Sequence, residues 1–340
     1  MTSRSEKILA LQFKYFGDAV LMTPVLRALR EKFPAAELHL LVPAEIAPLF
    51  QHLPWLHRVW PLPRRRGRAS LQETWPLIRA LRREHFSRSV DFAGNDRGAI
   101  LSLLIGARQR LGWSQPGGFL GRKFCYNQRV ILVEKPEHES ARLAHLLSAW
   151  DVKTASLEPE IRTDAALAPA AEKLLPGRMI LCHVASSQPR KEWPLTHWAE
   201  FHRLATAAGF TVAFTTATGA REQALMAGLK NLAPEALVLP AIAELPLFLA
   251  VVNRAAVFIS GDTGPLHFAA GLGVPTISLF GPTSPVRWSP AGRQHKFFIG
   301  GYCGCEANSA ICQSPRHCLA EITPAQILTA LKNYPVVSLK

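Results

Sequence analysis

The chain has 340 residues, of which 48% are hydrophobic, and its 39 Lys and Arg outnumber 25 Asp and Glu for a formal charge of +14. That length suits two domains of ordinary size, and no apolar run of about 18 residues is present to cross a membrane. The excess is larger in residues 1–165, with 25 cations against 16 acids, than in residues 166–340, with 14 against 9; it favours anionic partners, while the absence of helix-turn-helix, RNP or zinc-finger spacing argues against nucleic acid.

The amino terminus runs straight into a strand without a signal-peptide h-region, so a cytoplasmic protein is expected. Lys7 to Phe13 reads as a buried strand, Ala19 to Phe33 as a helix with Pro24 early in it, and Glu37 to Val42 as a second strand. This β-α-β order opens a Rossmann-like domain. It lacks G-x-G-x-x-G, which argues against a dinucleotide dehydrogenase. Asp18, after Gly17, falls between the first strand and its helix. It is either a helix N-cap or a carboxylate placed for chemistry at a strand's carboxyl end. Pro61 to Arg68 is basic, and Arg64, Arg65 and Arg66 are either a solvated charge run or contacts for phosphates, carboxylates or anionic headgroups. A helix is expected over 71–84. Ser89 to Arg97 is a strand end, where Asn95 and Arg97 are either ligand contacts or a surface turn.

Residues 140–150 read as a helix and 151–176 as a crossover. Arg178 to Ala185 begins a second Rossmann-like half, giving domains of about 1–160 and 170–340. The loop Ser186 to Pro194 carries Ser187, Arg190 and Lys191, and a helix follows over 196–208. Cations on a loop at a strand's carboxyl end are candidates for anion binding, with Arg190 the competitor of Lys191. After a strand at 210–216, Glu222 is either a carboxylate for a ribose diol or a dipole partner in the first turn of a helix. Strands at 237–240 and 257–260 lead to Gly261-Asp262-Thr263-Gly264-Pro265, then a helix ended by Gly273 and a strand at 276–280. The turn makes Asp262 or Thr263 an N-cap and leaves the amides of Thr263, Gly264 and Leu266 free at a helix N-terminus, which is an anion site. Cys303, Cys305, Cys312 and Cys318 form a late cluster beside His317. Structural zinc, a disulfide and packed reduced thiols all stay open for it.

Three blocks carry a resemblance. Gly17-Asp18-Ala-Val-Leu-Met-Thr-Pro24-Val-Leu26, Lys191-Glu-Trp-Pro194, and Asp262-Thr-Gly264 with His267 followed by Leu279-Phe-Gly-Pro-Thr-x-Pro285 are similar to the lipopolysaccharide heptosyltransferases, the ADP-heptose-dependent glycosyltransferase family 9. Asp91 to Arg97 and Gly106 to Gly112 resemble further family segments, and Lys14-Tyr-Phe16 is bulkier than the small polar residues many relatives carry there. The resemblance implies an α/β GT-B fold, two Rossmann-like domains with parallel sheets flanking a central cleft. It implies an inverting transfer of heptose from ADP-L-glycero-β-D-manno-heptose to the anionic lipopolysaccharide inner core, at the cytoplasmic face of the inner membrane, with no cofactor and no metal. Asp18 would be the general base. Lys191, Ser187, Asp262, Thr263, Gly264 and His267 would bind the donor, Glu222 its ribose, and Arg64, Arg65, Arg66, Asn95 and Arg97 the acceptor. The alternatives are a GT-B enzyme using another nucleotide sugar, or a non-catalytic nucleotide- or nucleic-acid-binding protein.

Overall fold

The computed structural model describes residues 6–63, 71–115, 117–301, 303, 305, 312 and 317–334. The chain divides into two compact units, Met1–Leu157 and Glu158–Lys340. In the first, β1 (Lys7–Leu11), β2 (Glu37–Pro43), β3 (Arg58–Leu62), β4 (Arg88–Asp91), β5 (Gln109–Ser114) and β6 (Gln128–Ile131) form a parallel sheet in the order β3-β2-β1-β4-β5-β6. In the second, β7 (Ile180–His183), β8 (Val212–Thr215), β9 (Leu237–Val238), β10 (Val257–Gly261), β11 (Thr276–Phe280) and β12 (His295–Ile299) form a parallel sheet in the order β12-β11-β10-β7-β8-β9.

The two orders are the same topology. Each unit starts at the middle of its sheet, builds outward one way for three strands, then returns to build the other way. The order therefore reverses between β1 and β4 in the first sheet and between β7 and β10 in the second. At such a reversal the connecting helices leave on opposite faces, and a crevice opens at the carboxyl ends of the two strands. The central strands are buried on both faces, as helix-covered parallel strands must be: β7, β10 and β11 expose no residue, and in β1 only Lys7 is partly exposed. Trp193, Trp198, Phe201 and Phe214 dominate the core on one face of the second sheet, with the Trp193 Nε1–H donating to the Ile322 carbonyl at 2.9 Å.

One expected helix is two. The sequence reads as one helix over 19–33, but the chain forms Phe16–Leu21 and Thr23–Lys32 with Met22 between them. Pro24 has no N–H to give the Val20 carbonyl four residues back. The Thr23 hydroxyl takes that carbonyl instead, at 2.7 Å. The helix expected at 140–150 likewise ends as Glu139–Leu146, tightening to a 3₁₀ turn over Leu147–Trp150.

Candidate active site

In the amino-terminal unit, the link from β1 to the helix Phe16–Leu21 delivers Asp18 to the switch point. Tyr15 occupies the N-cap position and makes no side-chain cap, so Asp18 sits inside the first turn and is not an N-cap. It is 8% exposed. Burial is the main influence raising its pKa from the usual carboxylate range to about 6; Glu139 adds to the rise, while Lys14 and Arg142 oppose it. Glu139 and Arg142 are themselves a buried pair, with Arg142 Nε donating to Glu139 Oε2 at 2.9 Å and a second, shorter bond from Nη2 to Oε1. Their helix is tied to the Asp18 helix by Ser140, whose hydroxyl donates to the Leu21 carbonyl at 2.6 Å. The Glu139–Arg142 pair therefore largely cancels its own effect on Asp18, which leaves Lys14 as the main charge opposing burial.

The neighbouring strand β4 ends on a second buried carboxylate. Asp91 accepts from the Tyr126 hydroxyl at 2.6 Å and from the amides of Ala93 and Gly94 at 3.0 and 3.4 Å. Burial raises its pKa to about 6 against the pull of these donors. A Cβ at Gly98 would meet the Asp91 carboxylate at 2.2 Å, so the following helix packs here only because residue 98 has no side chain. Asn95 caps that helix, accepting from the Gly98 amide at 2.9 Å, which occupies its carbonyl oxygen. Arg97 is half-buried in the same turn. Arg64, Arg65 and Arg66 lie outside the described residues.

In the carboxy-terminal unit, the loop after β7 crosses over the end of β10. A Cβ at Gly261 would meet the Lys191 carbonyl oxygen at 2.6 Å, so glycine there permits the crossing. The crossing places Lys191 Nζ 2.7 Å from Asp262 Oδ2, with side chains 17% and 10% exposed. His267 Nε2 is 4.0 Å from the other Asp262 oxygen. Thr263 is the N-cap residue of the helix Gly264–Gly271, with Pro265 in its first turn and no side-chain cap bond. The Leu266 amide, expected to be free, donates to the Thr263 carbonyl at 3.1 Å. Arg190 turns inward, 4% exposed, with its Nε donating to the Gln188 side chain at 3.0 Å, so it is Lys191 that pairs with Asp262. Ser187 is exposed on the same loop, and Glu222 is half-buried at the start of the helix Ala220–Leu232.

Arg221 and Glu192, which no sequence motif marks, hold this loop. Glu192 Oε1 accepts from the Ser186 amide and from Arg221 Nη1, both at 2.8 Å. Arg221 also donates to the Ser186 carbonyl and, at 3.1 Å, to Glu222. No spacing pattern marks such a clamp, because its parts lie 35 residues apart from Ser186 to Arg221.

These features match a known family over most of the chain. The model of glycosyltransferase family 9 (heptosyltransferase) matches residues 74–314. The chain belongs to glycosyltransferase family 9. Among curated members of the family, lipopolysaccharide heptosyltransferase 2 of Escherichia coli K12 is 24% identical over 343 residues, covering 96% of this chain and 97% of that one. Among solved structures, a family 9 glycosyltransferase from Veillonella parvula superposes with a TM-score of 0.83 at 18% identity, covering 96% of both chains. The Escherichia coli ADP-heptose lipopolysaccharide heptosyltransferase II superposes with a TM-score of 0.77 at 20% identity, covering 96% of this chain and 97% of that one. The fold of this family 9 member is thus GT-B-like, two six-stranded parallel sheets flanked by helices.

Two further clusters of metal-ligating side chains are present, the first beside the Lys191 loop, where His317 is influenced by Glu192 and the Pro189 backbone. The Cys305 and Cys312 sulfurs are 3.8 Å apart, and burial beside Cys303 pushes the Cys318 thiol up to about 11. At the amino ends of β2 and β3, Glu37, His39 and His57 gather ligand atoms within 4.8 Å. The Trp60 indole N–H donates to His39 Nδ1 at 3.0 Å, so the neutral ring carries its proton on Nε2, the nitrogen 3.5 Å from Glu37. A metal on that nitrogen would have to displace the proton, and the Lys7 ammonium lies 3.3 Å from Glu37.

Proposed function

We propose that this family 9 glycosyltransferase transfers heptose from ADP-L-glycero-β-D-manno-heptose to an anionic acceptor of the lipopolysaccharide inner core, with inversion. The observation that carries the reading is the Lys191–Asp262 pair beside a helix N-terminus at the β7–β10 switch point. An ammonium and backbone amides at one point are what a departing diphosphate requires. The choice of donor is supported by a relative whose name states ADP-heptose.

In this reading the acceptor hydroxyl oxygen forms a bond to the anomeric carbon as the bond from that carbon to the diphosphate oxygen breaks. One in-line displacement inverts the centre. The hydroxyl proton passes to Asp18, and the electron pair of the broken bond leaves with ADP. Asp18, raised to about 6, is a stronger base than an ordinary aspartate and is still mainly ionised at pH 7. Lys191 and the amides of Thr263 and Gly264 take up charge developing on the leaving phosphate. Asp262 holds the ammonium in place and accepts from donor hydroxyls, His267 steadies Asp262, Ser187 adds a phosphate contact, and Glu222 accepts from the ribose. Asn95, Arg97 and Arg64 to Arg66 are assigned to the acceptor. Charge neutralisation by Lys191 and the helix leaves no role that requires a divalent ion.

The test has two parts. ADP should raise the melting temperature above the effect of UDP, GDP or NAD at equal concentration, since a ligand of the folded state stabilises it by mass action. ADP release from ADP-heptose should require the core acceptor and persist in EDTA. Preferential stabilisation by UDP or GDP, or transfer that stops in EDTA and returns with Mg²⁺, would overturn the assignment.

A further inference from the structure

The segment 117–125 of the amino-terminal unit exposes apolar side chains that the fold does not use. Leu120 is 99% exposed and Phe124 71%. A loop of this kind would ordinarily bury its large side chains to hold its shape. Here polar stitches do so. The Phe119 amide donates to Asp96 Oδ1 at 3.3 Å, Arg110 Nε donates to the Cys125 carbonyl at 2.9 Å, and the buried Arg122 guanidinium donates to the Gly94 carbonyl. Cys125 and Tyr126 pack on Ala99 beneath. Gly117 and Gly118, at φ +85° and +84°, make the turn that lifts the segment outward.

Cations surround these apolar tips. Phe119, Leu120, Lys123 and Arg129 share the lining of one cavity of about 270 Å³. The Lys123 ammonium lies 5.1 Å from the centre of the Phe124 ring. Arg129 and Ile131, two residues apart on the edge strand β6, share an exposed face, with Ile131 69% exposed. Between Asp96 and Glu134 the chain has six Lys and Arg and no Asp or Glu.

We propose that segment 117–125 with the edge of β6 docks on the surface of an anionic phospholipid bilayer. Leu120 and Phe124 would enter the boundary between headgroups and acyl chains, while Lys123 and Arg129 stay at the phosphates. A protein partner fits less well, because the centre of a stable protein interface is closely packed and poor in lysine. A protruding tip ringed by cations suits a fluid surface that closes around it. The inference extends the proposed lipid-linked acceptor, but its test reads binding and not turnover, so the two stand or fall separately.

The experiment is co-sedimentation of the full chain with large vesicles of phosphatidylethanolamine and phosphatidylglycerol, and with vesicles of phosphatidylcholine alone. Wild type should bind the anionic vesicles and not the neutral ones. Leu120→Ser should weaken binding by about tenfold, the scale of one exposed leucine kept out of an apolar phase. Lys123→Gln and Arg129→Gln should each weaken it by about fivefold and flatten the salt dependence. Leu120 touches nothing that holds the fold, so its melting temperature should match wild type. Equal vesicle binding by Leu120→Ser and wild type would overturn the proposal. So would concentration-dependent self-association in sedimentation velocity that Leu120→Ser abolishes, since the tip would then serve a second copy of the chain.

Discussion

Asp18 and Asp262 are both carboxylates at a switch point, and both are 8% exposed. Their surroundings differ. Asp262 has an ammonium at 2.7 Å, so its charge is matched where it stands. Asp18 lies beside Glu139 and Arg142, which already satisfy each other, and burial dominates its titration. The same topology and the same burial therefore yield a carboxylate that positions a cation in one unit and one able to hold a proton near neutrality in the other. Burial sets how strongly a charge is felt, and the partner decides what the carboxylate does.

The largest effect that would break this comparison is at Asp18. Asp18→Asn keeps the shape and removes the proton acceptor, so kcat should fall by about 10²-fold or more while ADP affinity stays near wild type. Single-turnover transfer with saturating donor, alongside ADP titration by calorimetry, measures both. Turnover near wild type would make Asp18 a structural residue.

Much of the fold was legible in the sequence, because buried parallel strands read as short apolar runs and the turns between them carry Gly, Asp and Pro. The stretch from Val257 to Phe280 is the clearest case: strand, turn, helix, Gly273 stop and strand all fall where the residues put them. The break at Met22 is not legible locally, because a proline near a helix start is tolerated and Pro24 does not say which helix it starts. The state of Asp18 was not legible. It depends first on burial, then on nearby Lys14 and on Glu139 and Arg142, more than 100 residues downstream; neither the burial nor the distant pair leaves a local pattern. Lys191 and Asp262 were each visible, and so was the rivalry with Arg190. Only the close pass of the Lys191 backbone over Gly261 decides between the two cations.

Lys191→Ala should slow transfer by about 10²-fold and weaken ADP-heptose binding, the scale expected for loss of one electrostatic stabiliser of the leaving group. It should also leave Asp262 buried without its cation, so Lys191→Ala with Asp262→Asn should lose less stability than the two single changes summed, read as a double-mutant cycle in urea. Strict additivity would show that the pair is not coupled, and would remove the contrast with Asp18.

A smaller effect sharpens the geometry. Gly261→Ala places a methyl 2.6 Å from the Lys191 carbonyl oxygen, which is backbone and cannot swing aside. The loop must shift, at a cost of about 1–3 kcal/mol in stability, with a rise in KM for the donor larger than any fall in ADP-independent folding would explain. Unchanged stability and KM would mean that the crossing does not constrain Lys191.

The pH dependence of kcat/KM between pH 4.5 and 8 tests the central claim most directly. Asp18 accepts a proton only when ionised, and its pKa is raised, so activity should climb as pH rises and level off above a midpoint of about 6. At pH 5 the wild-type rate should stand roughly tenfold below its plateau, and Asp18→Asn should be slow with that limb gone. A midpoint near 4 in the wild type, or the same limb persisting in Asp18→Asn, would contradict the assignment of Asp18 as the proton acceptor.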